Sequence, residues 1–467
     1  MITSIIIAVF VFGYACIALE HGTKINKAPV ALLMCAICWT LFAVGIPSGL
    51  IDLSAEQTKQ IEGIMQGSNC EWGKAIQHWV SERMLHHLSE TCEIIVFLMG
   101  AMTIVEIVDA NGGFNFVRYR LQTASKRKLM WRMAWMTFFL SAVLDNLTTS
   151  IVMIMVLRKL VANKEDRFLF AGLIILAANA GGAFSPIGDV TTIMLWVRGM
   201  LSTQGVLLEV FLPSVASLLI PCLIMHFRMK GNIEGVKMEE YVEANQEFSQ
   251  KERNIVFCLG VGGLLFVPIF KSLTHLAPYV GILLVLGVLW TAVEVFLARK
   301  KNHHLMSTHR VTNMLQKIDM TTILFFLGIL MTVATLQDTG VLTAFGQWLN
   351  EVTGANHYAI TGVIGAASAI VDNVPLVAGC MGMYPVETVG ALAQDGIFWQ
   401  LLAYCAGVGG SMLIIGSAAG VVVMGLENIS FGWYLKNISW LALAGYLAGI
   451  VVYAIQHPIF QSLGLIQ

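Results

Sequence analysis

The stretches FFLSAVLDNLTTSIVMI (residues 138–154) and AASAIVDNVPLVAG (residues 366–379) each set an acid-amide pair, Asp145-Asn146 and Asp372-Asn373, in the middle of an apolar run. An ionisable residue at membrane depth costs roughly 2.5–3.5 kcal/mol on insertion scales, so an ordinary spanning helix has no reason to carry one there. The flanking charges raise a second objection. Arg118, Arg120, Lys126, Arg127, Lys128 and Arg132 precede the first run, and Arg158, Lys159, Lys164 and Arg167 follow it. A spanning helix would put these groups on opposite sides of the membrane, against the excess of positive charge on the inner side. If both Asp-Asn segments are re-entrant hairpins, each entering and leaving by one face, the conflict disappears.

Outward from these two segments the chain is of the same character. Of its 467 residues 57% are hydrophobic and 12% charged, with a mean hydropathy of +0.74. Soluble proteins carry about 45–50% apolar and about 25% charged residues, so a water-soluble domain is excluded. Apolar runs of the length that crosses a bilayer recur along the whole chain, and the run TSIIIAVFVFGYACIALE at residues 3–20 reads as a first membrane helix, not a removable signal. With the N-terminus outside, all of the 28 lysines and arginines except Lys59, Lys74, Arg83, Arg198 and Lys271 fall on the cytoplasmic side. The net charge of −1 offers no field for nucleic acid. Eight of the nine cysteines lie in apolar segments and read as small buried residues; the Cys35/Cys38 spacing sits inside ALLMCAICWTLF and belongs with them.

The two halves resemble each other at an offset of 227 to 228 residues. FLMG at 97–100 falls on FFLG at 325–328, LDN at 144–146 on VDN at 371–373, AGG at 180–182 on VGG at 408–410, and Gly188 on Gly416. On the topology above, the copies enter the membrane from opposite sides. The expected fold is therefore an all-α polytopic membrane protein of two inverted repeats, residues 1–227 and 255–467, joined by a cytoplasmic linker at 228–254. Each repeat has roughly five transmembrane helices, a re-entrant hairpin (133–161; 358–385) and a broken helix (168–197; 397–426). The breaks are placed by the glycine clusters ANAGGAFSPIGDVTT at 178–192 and AGVGGSMLIIGSAAG at 406–420. Irregular backbone at that depth is tolerated only where it is buried in protein or lines a cavity.

The breaks collect the candidate site residues. Asp145, Asp372 and Asp189 are intramembrane acids; Asn146, Ser141, Thr148, Thr149, Thr191 and Thr192 offer oxygens in the first half, and Asn373, Ser368, Ser411 and Ser417 in the second. Carboxylate, amide and hydroxyl oxygens suit a hard monovalent cation. The competing reading makes Asp145 and Asp372 helix caps. For Asp189 a structural role competes more strongly, because its repeat partner is Ser417. Asn179 is a candidate ligand or a helix-packing amide. Glu93 is expected on an ion or proton path, Glu106 at the interface, and Glu209 and Glu294 are further membrane acids with less context. His86, beside His87, is the candidate pH sensor. No lysine or arginine is expected at membrane depth, so the pocket attracts cations and repels anions. A carboxylate site that holds Na⁺ or H⁺ but not both enforces antiport.

The segments SETCEIIVFLMGAMTIVEIVD (89–109), AVLDNLTTSIVM (142–153), ANAGGAFSPIGDVTTIMLW (178–196) and SAIVDNVPLVAG (368–379) resemble the NhaD-type sodium/proton antiporters of the ion transporter superfamily, which also holds dicarboxylate and arsenite carriers. The resemblance implies a scaffold and a transport domain, a homodimer in the lipid bilayer and an elevator-like movement. It implies site roles for Glu93, Ser141, Asp145, Asn146, Asn179, Asp189, Thr191, Thr192, Ser368, Asp372 and Asn373. Where the dicarboxylate carriers have Ser-Asn-Thr at the hairpin tips, this chain has Asp-Asn-Leu and Asp-Asn-Val, which favours a cation as cargo. The expectation is Na⁺/H⁺ exchange, with Li⁺ also carried, across a bacterial cytoplasmic membrane, with no cofactor. The alternatives are a Na⁺-coupled carrier of a small anion or oxyanion, and a channel. An intramembrane protease lacks a GxGD motif, since position 186 is Pro, and no HExxH motif occurs; the chain is not expected to be an enzyme.

Overall fold

The computed structural model describes residues 2–19, 25–114, 120–121, 123–233, 248–299, 311–464 and 466. Among them there is no strand, only two isolated bridges. In chain order the helices are α1 (Ile2–Ala18), α2 (Lys27–Gly45), α3 (Ala55–Ser68), α4 (Trp72–Ala110), α5 (Lys126–Leu144), α6 (Asn146–Leu160), α7 (Lys164–Ala183), α8 (Val190–Val197), α9 (Thr203–Glu209) and α10 (Phe211–Arg228). There follow α11 (Gln250–Thr274), α12 (Pro278–Ala298), α13 (Val311–Leu315), α14 (Met320–Asp338), α15 (Val341–Thr353), α16 (His357–Ala367), α17 (Asn373–Met383), α18 (Ile397–Gly409), α19 (Ala418–Glu427), α20 (Phe431–Tyr434) and α21 (Trp440–Ser462). Among the described residues, eight helical stretches are long and apolar enough to span a bilayer: α2, α4, α7, α9 with α10, α11, α12, α14, and α20 through α21. The protein is a multi-pass membrane protein. Residues 234–247 of the expected linker, with Lys24 and Arg118, lie outside the described residues.

The segment 51–90, which hydropathy presents as a long outer loop, is mostly helical. Ser54 and Gln57 form a capping box that starts α3, and α4 begins at Trp72, well before the apolar run it ends in. A polar helix end needs no apolar run, only caps and packing partners, so hydropathy underestimates its length.

Contacts divide the chain into two units. One contains residues 1–96, 319–356 and 374–385. Its α2 and α14 touch backbone to backbone: a Cβ on Gly328 would lie 2.6 Å from the Ala31 carbonyl carbon. Trp39 Nε1 donates to the Met331 carbonyl at 2.9 Å. Small residues at such crossings are how membrane helices gain contact where lipid gives no hydrophobic drive. At the end of α14, Asp338 accepts from Arg83 and faces His87 Nε2 at 3.1 Å.

The other unit contains residues 97–318, 357–373 and 386–467. Here the helix breaks are held by two sets of matching contacts. A Cβ on Gly181 would lie 2.0 Å from the Phe138 carbonyl oxygen, and a Cβ on Gly409 the same distance from the Gly365 carbonyl oxygen. Ser141 Oγ donates to the Ala178 carbonyl at 2.6 Å; Ser368 Oγ donates to the Ala406 carbonyl at 3.0 Å. Every one of these pairs repeats at an offset of 227 or 228 residues. Beside the first set, Phe138 stacks on Phe184 with ring centroids 5.0 Å apart, and Phe184 meets Phe211 edge-on at 5.1 Å. Farther along, Glu427 closes the unit by accepting from Arg158 Nε at 2.6 Å and Arg167 Nε at 3.0 Å, tying α6 and α7 to α19.

Candidate functional site

The site forms where four helix starts meet broken backbone. Between α5 and α6 the chain turns at Asp145, whose φ of 74° lies in the left-handed region that few residues other than Gly, Asn and Asp tolerate. The carboxylate pays part of that strain back by capping α6: Oδ1 accepts from Thr148 N at 2.8 Å and Oδ2 from Thr148 Oγ1 at 2.9 Å. The capping reading of Asp145 is thus part of the structure, and half-buried Asp145 leaves the adjacent Asn146 to reach inward.

Asn146 is 4% exposed and its Nδ2 donates twice, to Asn179 Oδ1 at 3.1 Å and to Asp189 Oδ1 at 3.0 Å. Asp189 stands at the start of α8, where the broken helix resumes, and is 2% exposed. Its Oδ2 accepts from Thr191 Oγ1 at 2.5 Å and from Asn373 Nδ2 at 3.3 Å. Asn373 is the first residue of α17, so both Asp-Asn tips send their asparagine to one carboxylate. Asn179 then donates its own Nδ2 to Ser411 Oγ and Ser417 Oγ, each at 2.9 Å, and Ser417 in turn caps α19 by accepting from Gly420 N at 3.1 Å. Asp145 and Asp372 stand within electrostatic reach of Asp189. Thr149, one turn along α6 from Asn146, is fully buried and its hydroxyl has no hydrogen-bond partner.

Asp189 is therefore the hub, although its lack of an acidic repeat partner argued against it. Asp145 and half-buried Asp372 flank it. Ser141 and Ser368 spend their hydroxyl protons on the Ala178 and Ala406 carbonyls, and Thr192 Oγ1 donates to the Ala183 carbonyl at 3.3 Å, so these three fasten the breaks. Glu93 is half-buried on α4 and belongs to the other unit, as does His86. His86 is exposed and meets Glu90 at 3.4 Å, whereas His87 is the buried histidine of the pair, against Asp338. Glu106 is ion-paired with Lys317 at 2.9 Å. The oxygens from Ala178 and Ala406 leave no signature in a sequence, because any residue has a carbonyl. Ser411 and Ser417 were readable as counterparts of the first break. Among the hydrogen bonds of Asn146, Asn179, Asp189 and Asn373, no lysine or arginine takes part.

Residues 14–401 match the family described as Citrate transporter (CitMHS). The chain is 42% identical over 448 residues to Sodium/proton antiporter 1 of Arabidopsis thaliana, a match covering 96% of this chain and 71% of that one. It is 40% identical to Sodium/proton antiporter 2 of the same plant, covering 96% and 98%. Na(+)/H(+) antiporter NhaD of Vibrio cholerae is 28% identical over 481 residues, covering 95% and 90%. Among solved structures, the YdaH transporter of Alcanivorax borkumensis superposes with a TM-score of 0.54 at 12% identity, over 83% of this chain and 89% of that one, a likeness of fold.

Proposed function

Because the chain belongs to the NhaD-type sodium/proton antiporters of the ion transporter superfamily, we propose that it exchanges Na⁺ for H⁺ across a membrane with Asp189 at the centre of the exchange site. The observation that carries this reading is the buried Asp189 carboxylate, served by Asn146, Thr191 and Asn373 and, among the described residues, hydrogen-bonded to no basic side chain. A carboxylate in that setting needs one positive charge, and a proton or an alkali ion supplies it. The amides around it suit both states. With a proton or no ion bound, Asn146 and Asn373 donate N–H to the carboxylate; turned over, each presents Oδ1 instead, which together with Thr191 Oγ1 and the carboxylate makes an oxygen cage for a hard cation. Occupancy by one cation excludes the other, and that exclusion couples the two flows.

The match to a family named for citrate raises the anion-carrier alternative. An anion at this depth needs a fixed cation, and the hydrogen bonds of the network contain none. The repeated contacts at Gly181 and Gly409, and at Ser141 and Ser368, support a reading in which the two halves are inverted repeats. Transport of Li⁺ beside Na⁺, a homodimer, an elevator-like movement of the site-bearing body, and residence in a bacterial cytoplasmic membrane complete the proposal.

Everted membrane vesicles with an acid interior test it. A pH-sensitive dye is followed while Na⁺, Li⁺, K⁺ or citrate is added to wild type and to Asp189→Asn, Asp145→Asn and Asp372→Asn. Na⁺ and Li⁺ should collapse the gradient in wild type and fail to do so in Asp189→Asn. A response to citrate plus Na⁺, and not to Na⁺ alone, overturns the reading.

A further inference from the structure

Glu209 closes α9 with no exposed surface, and it shares no hydrogen bond with the network around Asp189. Its Oε2 accepts from Tyr453 Oη at 2.9 Å and faces His457 Nδ1 at 2.7 Å, both on α21. Gln456, between those two in sequence, donates Nε2 to the Glu209 backbone carbonyl, which fixes which end of its amide is oxygen. That leaves Glu209 Oε1 and Gln456 Oε1 as buried acceptors, each without a hydrogen-bond partner, on two residues joined by the Gln456 side chain and the Glu209 backbone.

The surrounding charges do not resolve this. Among the described residues His457 pairs with Glu209 as an ion only when its ring is protonated, and it does so at Oε2, not at Oε1. The other titratable groups facing the pair are phenols and a thiol: Tyr453 itself, Tyr358 on α16 with its ring 6.2 Å from that of Tyr453, and Cys405 on α18. α10 holds its His226 and Arg228 at the opposite end of the helix and brings Ser214 near the start. Two lone acceptors in a dry place, one of them a carboxylate oxygen, are stabilised by a single positive charge shared between them.

We propose that Glu209 Oε1 and Gln456 Oε1 bind one monovalent cation at a second site, distinct from that of Asp189. The chemistry is common to a proton, which would let Glu209 donate to Gln456, and to an alkali ion held between the two oxygens. Since α9, α10 and α21 meet here, occupancy of this site adds a link between α9 and α21, and emptying it leaves them tied through the Tyr453, Gln456 and His457 contacts.

The experiment uses the purified full-length chain carrying Asp189→Asn, so that the exchange site contributes nothing, and compares it with Asp189→Asn/Glu209→Gln and Asp189→Asn/Gln456→Met. Thermal unfolding is followed by tryptophan fluorescence in sodium chloride against choline chloride of equal ionic strength, from acid to alkaline pH. A sodium-dependent, saturating rise in melting temperature that Glu209→Gln abolishes and Gln456→Met weakens identifies an alkali ion. A melting temperature that ignores sodium but falls with rising pH, with the slope lost in Glu209→Gln and reduced in Gln456→Met, identifies a proton. If the three proteins answer sodium and pH identically, the second site does not exist. Gln456→Met leaves the carboxylate and its Tyr453 bond in place, so it guards against a mere folding defect of Glu209→Gln.

Discussion

Replacing Asp189 by asparagine removes one charge and changes almost no volume, so its effect can be worked from the contacts. The carboxylate accepts one bond at Oδ1, from Asn146, and two at Oδ2, from Thr191 and Asn373. An amide keeps one acceptor, which belongs opposite the two donors; its NH₂ then faces Asn146 Nδ2. Asn146 must turn its own amide and forfeit the 3.1 Å bond to Asn179, or leave two donors opposed. Losing that neutral amide bond costs about 0.5–1.5 kcal/mol of stability, and leaving two buried donors opposed costs about 1–3 kcal/mol. The effect on the cation is larger. A unit charge about 4 Å from the carboxylate gains roughly 4 kcal/mol at an effective dielectric of about 20, which is a loss of apparent affinity on the order of a thousandfold when the charge is gone. The assay is the Na⁺ concentration for half-maximal recovery of dye fluorescence in everted vesicles, normalised to antiporter in the membrane. Asp189→Asn should show no recovery at any usable sodium concentration. A half-maximal concentration within a factor of about ten of wild type, a difference of only about 1.4 kcal/mol, refutes the central role of Asp189.

Other substitutions follow from the same contacts. Gly181→Ala puts a methyl 2.0 Å from a backbone oxygen that cannot rotate away, and Gly409→Ala repeats the offence at Gly365; both should exceed the usual overpacking cost of about 1–3 kcal/mol, seen as loss of the monodisperse peak in detergent. Asp145→Asn preserves an acceptor for Thr148 N and tolerates the left-handed backbone, so it should fold; retained exchange would make Asp145 a cap alone, and lost exchange a ligand or charge partner as well. Glu427→Ala leaves Arg158 and Arg167 without their shared acceptor, and because Arg158 is 45% exposed the loss should be about 1–3 kcal/mol, below that of a fully buried pair, read as a lower melting temperature. Asp338→Ala strands Arg83 and His87 at the end of α14 and should lower stability while His86→Ala, on an exposed ring, should not.

The fold was legible wherever a cost had to be explained. Acids inside apolar runs at Asp145 and Asp372, and glycine clusters at 181–182 and 409–410, violate what a plain membrane helix allows, and the helix ends fall at those places. The hydrogen-bonded cluster of the candidate site was legible as a set of residues, but its arrangement around one carboxylate was not. A structural role competed more strongly for Asp189 because Ser417 stands opposite it in the repeat; the bonds of Asn146 and Asn373 bring both symmetric asparagines to this one off-symmetry carboxylate. The helix preceding Glu93 was illegible because its polar turns carry no hydropathy, and the burial of His87 was illegible because it rests on Asp338, some 250 positions away.

The crossings at Gly181 and Gly409 carry one further consequence. Where helices meet through backbone atoms there are no side chains to swing, so the frame around the proposed exchange site has few soft degrees of freedom. A bare ion must shed water to enter, and how completely the frame replaces that water depends on ionic radius. A frame that cannot expand penalises the larger alkali ions, while a yielding one would accommodate them all alike. Discrimination among Li⁺, Na⁺ and K⁺ would then be governed by the stiffness of the glycine crossings some distance from the ligands, and loosening Gly181 or Gly409 without unfolding the protein would show itself first as a broadened choice of ion.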